Sequence, residues 1–292
     1  YGLGACIFIE KAVHKIFETK GRPKDNPLIA HLSTIQELSQ IAVDIPKDCY
    51  LLAEAFWPGP LTIVLKRSRR VPEIVSAGLD SIAVRIPRCD IAKELISLAG
   101  EPLVAPSANL SGKPSSTHFQ HVLHDFGGKI AAIVDGGWTE LGIESTVISL
   151  KTPEHPIILR PGHVSLEDLE RVLQKKVIQH LDAKTANHPV LSPGMKYRHY
   201  APKAPLSLFT EWDAMQEQIT KGSSKYRILV LSREAPPSSL ASLDHLFLSS
   251  RELYAHLRRS DERGYEQILV YCDAKTLKDA ALMNRLMHAA NS

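Results

Sequence analysis

The sequence lacks the motifs that mark several common kinds of site. It contains no GxGxxG, no GxxxxGK[ST], no HExxH and no GxSxG, and its four cysteines include no CxxC pair. These absences argue against a dinucleotide site, a Walker-type phosphate loop, a zinc protease, an α/β serine hydrolase and a zinc finger. No run of about 18 apolar residues occurs, so the sequence predicts no membrane-spanning helix and no membrane partner.

Excess charge and cysteine are also scarce. The net charge is only +3 over 292 residues, and up to Arg160 basic and acidic residues balance. An anion site must therefore come from local clustering, because the whole molecule attracts polyanions weakly. The spacing of Cys6, Cys49, Cys89 and Cys272 indicates reduced, buried thiols in a cytoplasmic protein rather than disulfides or metal ligands.

Helix and strand patterns alternate in the first part of the chain, which predicts an α/β domain over residues 1–176. Apolar spacing predicts helices at Lys11–Thr19, Thr34–Val43 and Tyr50–Phe56, and Ser165 with an acidic first turn predicts the start of another. Short β-branched runs predict strands at Leu61–Lys66, Ile82–Ile86, Leu103–Ala105, Ile130–Val134, Thr146–Ser149 and Ile157–Leu159.

The remainder predicts a linker and a second domain. Residues 177–205 are rich in proline and have little periodicity, which is typical of a long linker that often has a function. Residues 206–292 regain order, with strands expected at Arg227–Leu231 and Gln267–Tyr271 and helices at Arg251–Arg258 and Leu277–Ala290. This pattern predicts a small Rossmann-like parallel α/β domain.

The segment "ETKGRPKDNPLIAHL" places Lys20, Arg22 and Lys24 on a loop, because Pro23 and Pro27 prevent a regular helix. Three cations on a stiffened loop would hold a polyphosphate well. A solvated surface loop explains the same residues equally well.

The segment "GEPLVAPSANLSGKPSST" follows the predicted strand that ends at Ala105. Ser107, Asn109 and Ser115 are small polar residues after the carboxyl end of a strand, where α/β folds place ligand contacts. Taken alone, a turn with capping hydroxyl groups is the simpler interpretation.

Two arginines stand in strand patterns. Arg85 lies within "SIAVRIPR", where a buried guanidinium needs a partner, which is either a ligand carboxylate or an internal ion pair. Arg160 ends a strand before Pro161-Gly162, and it could join a phosphate site or be an exposed turn residue.

The linker contains "SPGMKYRHYAPKAP", in which Lys196–Tyr200 combine two aromatic rings with three potential cations. Such a strap could close over a nucleotide and stack a ring on its base. It could also contact RNA, or simply pack on its own domains.

These segments together resemble one family. "KGRPKDNPL", "VRIPR", "PSANLSGKPSST", "ESTV", "LRPG" and "SPGMKYRHYAPKAP" occur in the order found in the long, two-domain threonylcarbamoyl-AMP synthases. The resemblance implies a YrdC-like twisted-sheet α/β domain, a linker and a small Rossmann-like domain. It implies a nucleotidyltransferase that makes threonylcarbamoyl-adenylate and pyrophosphate from L-threonine, bicarbonate and ATP with Mg²⁺. The product would serve tRNA modification, with tRNA or a downstream threonylcarbamoyl-transferase as a further partner.

The resemblance also implies roles for individual residues. Lys20 and Arg22 match the pair expected to act on the phosphates during catalysis. The residues implied to bind ATP are Lys20, Arg22, Asn26, Ser107, Asn109, Ser115, Arg160, His199 and Tyr200. The residues implied to bind threonine are His31, Arg85, Ala105 and Ser145. No protein ligand for the metal is implied.

Other functions fit part of the pattern. A tRNA- or double-stranded-RNA-binding module without catalysis could use the same basic loop and aromatic strap, although the balanced charge of the first domain argues against it. YrdC-like domains also occur in carbamoyltransferases that mature hydrogenases, but those carry zinc fingers and this chain has no CxxC. A catalytically inactive regulatory form is disfavoured by the intact Lys20, Arg22, Ser107 and Asn109.

The first residues, "YGLGA", read as a turn interrupted at its start. In the family a strand, a helix and a segment like "PTETV" precede this stretch, so Tyr1 is not expected to be a natural start. The two glycines are expected to form a turn that brings backbone close to the ligand.

Overall fold

The computed structural model describes residues 1–179, 200–222 and 226–290, which fall into two units. The described parts of the first unit are Tyr1–Ser111, Phe126–Ala132 and residues 144–179. Those of the second unit are Gly112–Asp125, Ile133–Ile143 and residues 200–290. The chain therefore enters the second unit twice before it reaches the C-terminal part.

The first unit is built around a mixed sheet of nine strands within the described residues. Its strands are β1 (Ala5–Cys6), β2 (Ile29–His31), β3 (Ala42–Val43), β4 (Leu61–Arg67), β5 (Ser81–Arg85), β6 (Leu103–Val104), β7 (Thr146–Ser149), β8 (Ile157–Arg160) and β9 (Ile178–Gln179). The helices that accompany them are α1 (Glu10–Lys20), α2 (Leu38–Ile41), α3 (Lys47–Phe56), α4 (Glu73–Ser76), α5 (Asp90–Ala99), α6 (Phe119–Phe126) and α7 (Leu166–Leu173). Of these helices, α6 lies almost wholly in the part of the chain that belongs to the second unit.

The order of the sheet is β1-β6-β2-β5-β4-β7-β8-β9, with β3 beside β4. Strand β4 lies in the middle, and its first five residues are buried, as expected for a strand covered on both faces. Strands β2 and β5 are parallel neighbours, and β4 and β7 are another parallel pair. The ends of β5, β7 and β8 carry the polar residues singled out in the sequence.

Two helix ends matter for the site. Helix α1 stops at Gly21, which has φ +61° and donates its N–H group to the carbonyls of Phe17 and Glu18. This left-handed cap favours glycine, and it starts the loop that follows Lys20. Helix α7 begins at Ser165, as predicted, where the Ser165 hydroxyl accepts a hydrogen bond from the Asp168 N–H group at 3.1 Å.

The second unit contains a sheet of four parallel strands in the order β10-β13-β11-β12 among the described residues. These are β10 (Leu206–Phe209), β11 (Ile228–Ser232), β12 (Asp244–Phe247) and β13 (Gln267–Tyr271). Its helices are α8 (Trp212–Gly222), α9 (Leu253–Arg263), α10 (Ala274–Lys278) and α11 (Ala280–Ala290). The predicted α/β class and the parallel Rossmann-like second sheet are confirmed.

Some predictions are wrong. Ala42–Val43, expected to be the end of a helix, forms strand β3 beside β4. Ile130–Val134 is no strand, because the chain passes from the first unit to the second between Ala132 and Ile133 and so extends neither sheet. The four cysteines are free, but they are not all buried. Cys89 is exposed because it stands at the start of α5, outside the core.

Most of the expected linker, residues 180–199, lies outside the described residues. Its first residues include β9, which pairs with β8. None of the helices in the described ranges is long and apolar enough to cross a membrane.

Candidate functional site

Lys20 lies beneath the loop that follows β6. Its side chain is buried, and Nζ donates to the carbonyl oxygens of Ser107 (2.5 Å) and Asn109 (2.6 Å). The Ser111 N–H group returns a bond to the Lys20 carbonyl at 2.9 Å. Helix α1 thus fixes a positively charged ammonium group next to the backbone of a polar loop.

The loop after Lys20 is held by Arg22. The Arg22 guanidinium donates from Nε to the Asn26 carbonyl (3.2 Å) and from Nη2 to the Pro27 carbonyl (2.9 Å). Lys24, by contrast, is exposed. The three cations therefore differ in their surroundings. Lys20 is buried, Arg22 is bonded to the backbone of its own loop, and Lys24 faces solvent.

Asn26 is 1% exposed, and its Oδ1 has no hydrogen-bond partner among the described residues. A buried acceptor without a donor costs about 1–3 kcal/mol. Oδ1 can only accept a hydrogen bond. It therefore suits an amino or hydroxyl group of a nucleotide better than a phosphate.

The glycine at position 2 permits close contact with the same polar loop. Gly2 forms an antiparallel bridge with Ser107, and the Leu3 N–H group donates to the Pro106 carbonyl at 2.9 Å. A Cβ on Gly2 would lie 3.1 Å from the Ala105 Cβ. The stretch is therefore extended and paired with the Ala105–Ser107 segment rather than folded into the expected turn.

His31 and Arg85 lie side by side at the ends of β2 and β5, where they are aligned in the parallel pair. Arg85 Nε donates to the Gly59 carbonyl at 2.8 Å. The His31 Nδ1 lies 3.2 Å from the Ile29 carbonyl. The sheet register therefore brings these two predicted residues together.

Arg160 lies at the end of β8 and is buried against Ser145. Its Nε donates to the Ser145 carbonyl (3.1 Å) and its Nη2 to the Ser145 Oγ (3.2 Å). The Ser145 Oγ is also 2.7 Å from the Thr62 Oγ1. Thr62 was not identified from the sequence. Its place within the apolar run "LTIVL" is nevertheless a signal, because a hydroxyl group in a buried strand needs a hydrogen-bond partner.

Gly162 allows this arrangement. A Cβ at Gly162 would lie 2.3 Å from the Thr146 nitrogen and 2.6 Å from the Ser145 carbonyl carbon. The turn after β8 therefore packs directly on the start of β7. This explains why glycine follows Pro161.

Arg85 and Arg160 are both positively charged and repel each other. Burial, together with the positive charge of Arg160, lowers the pKa of Arg85 to about 10. Burial, together with the charge of Arg85, lowers the pKa of His31 to about 3. His31 is therefore neutral at pH 7, and the two guanidinium groups form a site that an anion would stabilise.

His31 should make the folded protein sensitive to acid. Its pKa is about 3 in the folded state against about 6.5 in an unfolded chain, so the unfolded state binds more protons between these values. The free energy of unfolding should fall as the pH drops from about 6.5 toward 3, by at most about 1.4 kcal/mol per pH unit. His31→Gln should lose this dependence and gain stability relative to wild type as the pH falls, as measured by urea denaturation at pH 7, 6, 5 and 4.

The exposed His155 supplies a matched control for this series. The free energy of unfolding of His155→Gln should change with pH in the same way as that of wild type. The difference in free energy of unfolding between wild type and His31→Gln should change with pH. A constant difference would contradict the assignment of His31 as a neutral imidazole with a lowered pKa.

The other predicted residues are placed as follows. Ala105 is half-buried, and its N–H group donates to the Ile29 carbonyl at 3.1 Å. Ser115 is buried and belongs to the second unit. Tyr200 also belongs to the second unit, where it is buried and stacked on Tyr254 with ring centroids 5.2 Å apart. His199 lies outside the described residues.

Comparison with known proteins finds two family models that match consecutive parts of the chain. The family model described as "Telomere recombination", which covers Sua5, YciO and YrdC proteins, matches residues 1–162. The model described as "Threonylcarbamoyl-AMP synthase, C-terminal domain" matches residues 164–291. Together the two models cover nearly the whole chain.

Individual relatives match over the same length. The chain is 42% identical to a threonylcarbamoyl-AMP synthase of Pyrococcus abyssi, over 99% of this chain and 87% of that protein. It is 40% identical to one of Bacillus subtilis, over 99% of this chain and 86% of that protein. The crystal structure of P. abyssi Sua5 complexed with L-threonine matches with a TM-score of 0.89 and 40% identity, covering all of this chain and 88% of that one.

Proposed function

Because the chain belongs to the threonylcarbamoyl-AMP synthase family, we propose that its buried cations and hydroxyl groups join L-threonine, bicarbonate and ATP into threonylcarbamoyl-AMP, with release of pyrophosphate and water. The observation that carries this function is the full-length match to a structure solved with L-threonine, at a TM-score of 0.89. The enzyme is a nucleotidyltransferase of the synthase type. The match to the C-terminal domain model over residues 164–291 favours it over an RNA-binding module or a hydrogenase-maturing carbamoyltransferase.

Threonine binding is assigned to the cluster around Arg85. The guanidinium of Arg85 would bind the threonine carboxylate, because it lies within the influence of a second cation, Arg160, and one of its N–H groups is bonded to the neutral Gly59 carbonyl rather than to a carboxylate. The neutral imidazole of His31 adds no further positive charge beside the amine. Ser145 would accept from or donate to the threonine hydroxyl, and the Ala105 backbone would line the same pocket.

ATP binding is assigned to the cluster around Lys20. Lys20, Arg22 and Arg160 would offset the charge that develops on the phosphates when pyrophosphate leaves. Asn26 supplies a buried acceptor for the nucleoside. Ser107, Asn109 and Ser115, with His199 and Tyr200, are proposed as the remaining nucleotide contacts.

The proposed chemistry has two bond-forming steps. The neutral amine of threonine adds to bicarbonate with loss of water, which gives a carbamate. A carbamate oxygen then attacks the α-phosphorus of ATP, and pyrophosphate departs with the electron pair of the broken P–O bond. Residues that hold the two reactants in line contribute by orientation and by electrostatic stabilisation.

Mg²⁺ is proposed to enter as part of the substrate, bound to the phosphates of ATP. Within the described residues, no group of three or more His, Cys, Asp or Glu side chains is arranged to hold a metal ion. The residues of the Lys20 cluster are cations, hydroxyls and amides, which suit the phosphates rather than the metal. The phosphate oxygens would therefore supply its ligands.

The product is an acyl phosphate anhydride and is easily hydrolysed. We propose that it passes to a downstream threonylcarbamoyl-transferase and then to tRNA, and that this takes place in the cytoplasm, as the free thiols suggest. A labile carbamate would favour a site next to buried groups such as Lys20 and Arg160.

The test of the function is an assay of pyrophosphate release with ATP, bicarbonate and each amino acid in turn. Threonine should give the highest rate, and omission of bicarbonate should abolish the release. Equal rates with all amino acids, or release that needs none, would contradict the assignment of the substrate. A control without enzyme corrects for hydrolysis of ATP.

A further inference from the structure

Arg258 of α9 connects the C-terminal part of the second unit to the segment 112–125. It is buried, and its Nε donates to the Pro114 carbonyl at 3.0 Å. Its Nη2 donates to the Ser116 Oγ at 3.2 Å and forms an ion pair with the Asp125 Oδ2 at 2.8 Å. The segment that it holds lies within the match to the first family model, whereas Arg258 lies within the match to the second.

The contacts flank Ser115 on both sides. The guanidinium of Arg258 binds Pro114, which precedes Ser115, and Ser116, which follows it. The carboxylate of Asp125 fixes the orientation of this guanidinium. A guanidinium has five donors in a rigid plane, so it sets the relative position of all three acceptors.

The same helix also holds the residues that follow the expected linker. The Tyr200 ring stacks on Tyr254 of α9, and the Lys203 N–H group donates to the Asp261 Oδ1 at 2.7 Å. The Ala201 N–H group donates to the Gly112 carbonyl at 3.0 Å. Helix α9 therefore fixes both the segment with Ser115 and the position of Tyr200.

We propose that Arg258 is a positioning residue for ATP, which sets the backbone of Pro114–Ser116 so that Ser115 is presented to the nucleotide. This rests on the proposed function, because Ser115 is assigned to ATP there. Arg258 itself does not touch the substrate. It gives the C-terminal domain a role in nucleotide affinity, which the sequence left open.

The test separates positioning from stability with a double variant. Arg258→Met alone would leave the buried Asp125 carboxylate without its arginine, which is strongly destabilising. Replacing both residues, Arg258→Met with Asp125→Leu, removes the two buried charges together and should restore a melting temperature close to that of wild type. Lys113, which also pairs with Asp125 at 3.5 Å, is partly exposed, so its ammonium group stays solvated in this variant. The KM for ATP should still rise roughly tenfold or more, because Pro114 and Ser116 have lost their donors, whereas the KM for threonine should change less than about twofold.

Ser116→Ala supplies a second variant that keeps the ion pair. It removes one acceptor of Arg258, so the melting temperature should be retained while the KM for ATP rises by a few fold. Arg233→Met is the matched control, because Arg233 also pairs with an aspartate, Asp279, at 3.2 Å but does not contact the Ser115 segment among the contacts described. Its KM for ATP should equal that of wild type.

Wild-type KM values for ATP in both the double variant and Ser116→Ala would overturn the proposal. If the double variant fails to fold, Ser116→Ala decides the matter alone. Direct calorimetric titration with ATP accompanies the kinetics. Wild-type protein that binds ATP but releases no threonine-dependent pyrophosphate would refute the proposed function, whereas the titrations would still show whether Arg258 sets nucleotide affinity.

Discussion

Lys20→Met should lower the rate of threonine-dependent pyrophosphate release by about 10²-fold or more. The ammonium group is fixed by the carbonyls of Ser107 and Asn109, so it is already in place when charge develops on the phosphates. Methionine fills a similar volume but supplies no charge and no donor. The measurement is the steady-state rate at saturating ATP and threonine.

Lys15→Met is the control, because Lys15 lies on the same helix but is exposed. It should retain the wild-type rate. Loss of Lys20 also removes one hydrogen bond from each of the Ser107 and Asn109 carbonyl groups, so melting curves must show that the variant is folded at the assay temperature. A folded Lys20→Met enzyme with normal turnover would refute the assignment of Lys20 to the phosphates.

Arg85→Met should raise the KM for threonine by about 100-fold or more, equivalent to about 2.7 kcal/mol. The reason is that the carboxylate would lose a charge-assisted hydrogen bond in a buried site. The affinity for ATP should change little. Stability should also be nearly unchanged, because relief of the repulsion between Arg85 and Arg160 offsets the loss of the hydrogen bond to the Gly59 carbonyl.

Arg88→Met is the matched control for this variant, since Arg88 lies three residues further along the chain and is exposed. Its kinetic constants should match those of wild type. An Arg85→Met enzyme with an unchanged KM for threonine, or one that loses ATP affinity instead, would show that Arg85 does not bind the threonine carboxylate.

The sequence predicts a strand most reliably where a buried run of apolar residues lies between two turns. Thr146–Ser149 and Gln267–Tyr271 were located at their observed bounds, because a continuous β-branched run between turns has few alternatives. Ile130–Val134 is also apolar and contains three β-branched residues, but it pairs with neither sheet and forms no strand. Strands of two or three residues, such as Ala5–Cys6 and Ile29–His31, are too short for any periodicity to show.

The chemical identity of the site was easier to predict than its contacts. Arg85 and Arg160 stood out because charged residues are rare in apolar strands. The bond between Thr62 and Ser145 joins residues 83 positions apart, and the bond between Arg258 and Asp125 spans 133 positions. Local patterns carry no record of such pairs, so only the folded chain reveals which groups support the predicted residues.

The division of the second unit into three stretches of sequence has a consequence for biosynthesis. Residues 112–125 and 133–143 leave the ribosome long before α9. More than a hundred further residues must be added before Arg258 can form its ion pair with Asp125. A nascent chain with a completed first sheet would still present Ser115 on an unfinished segment. Nucleotide affinity would therefore arise late in translation, after α9 has been made.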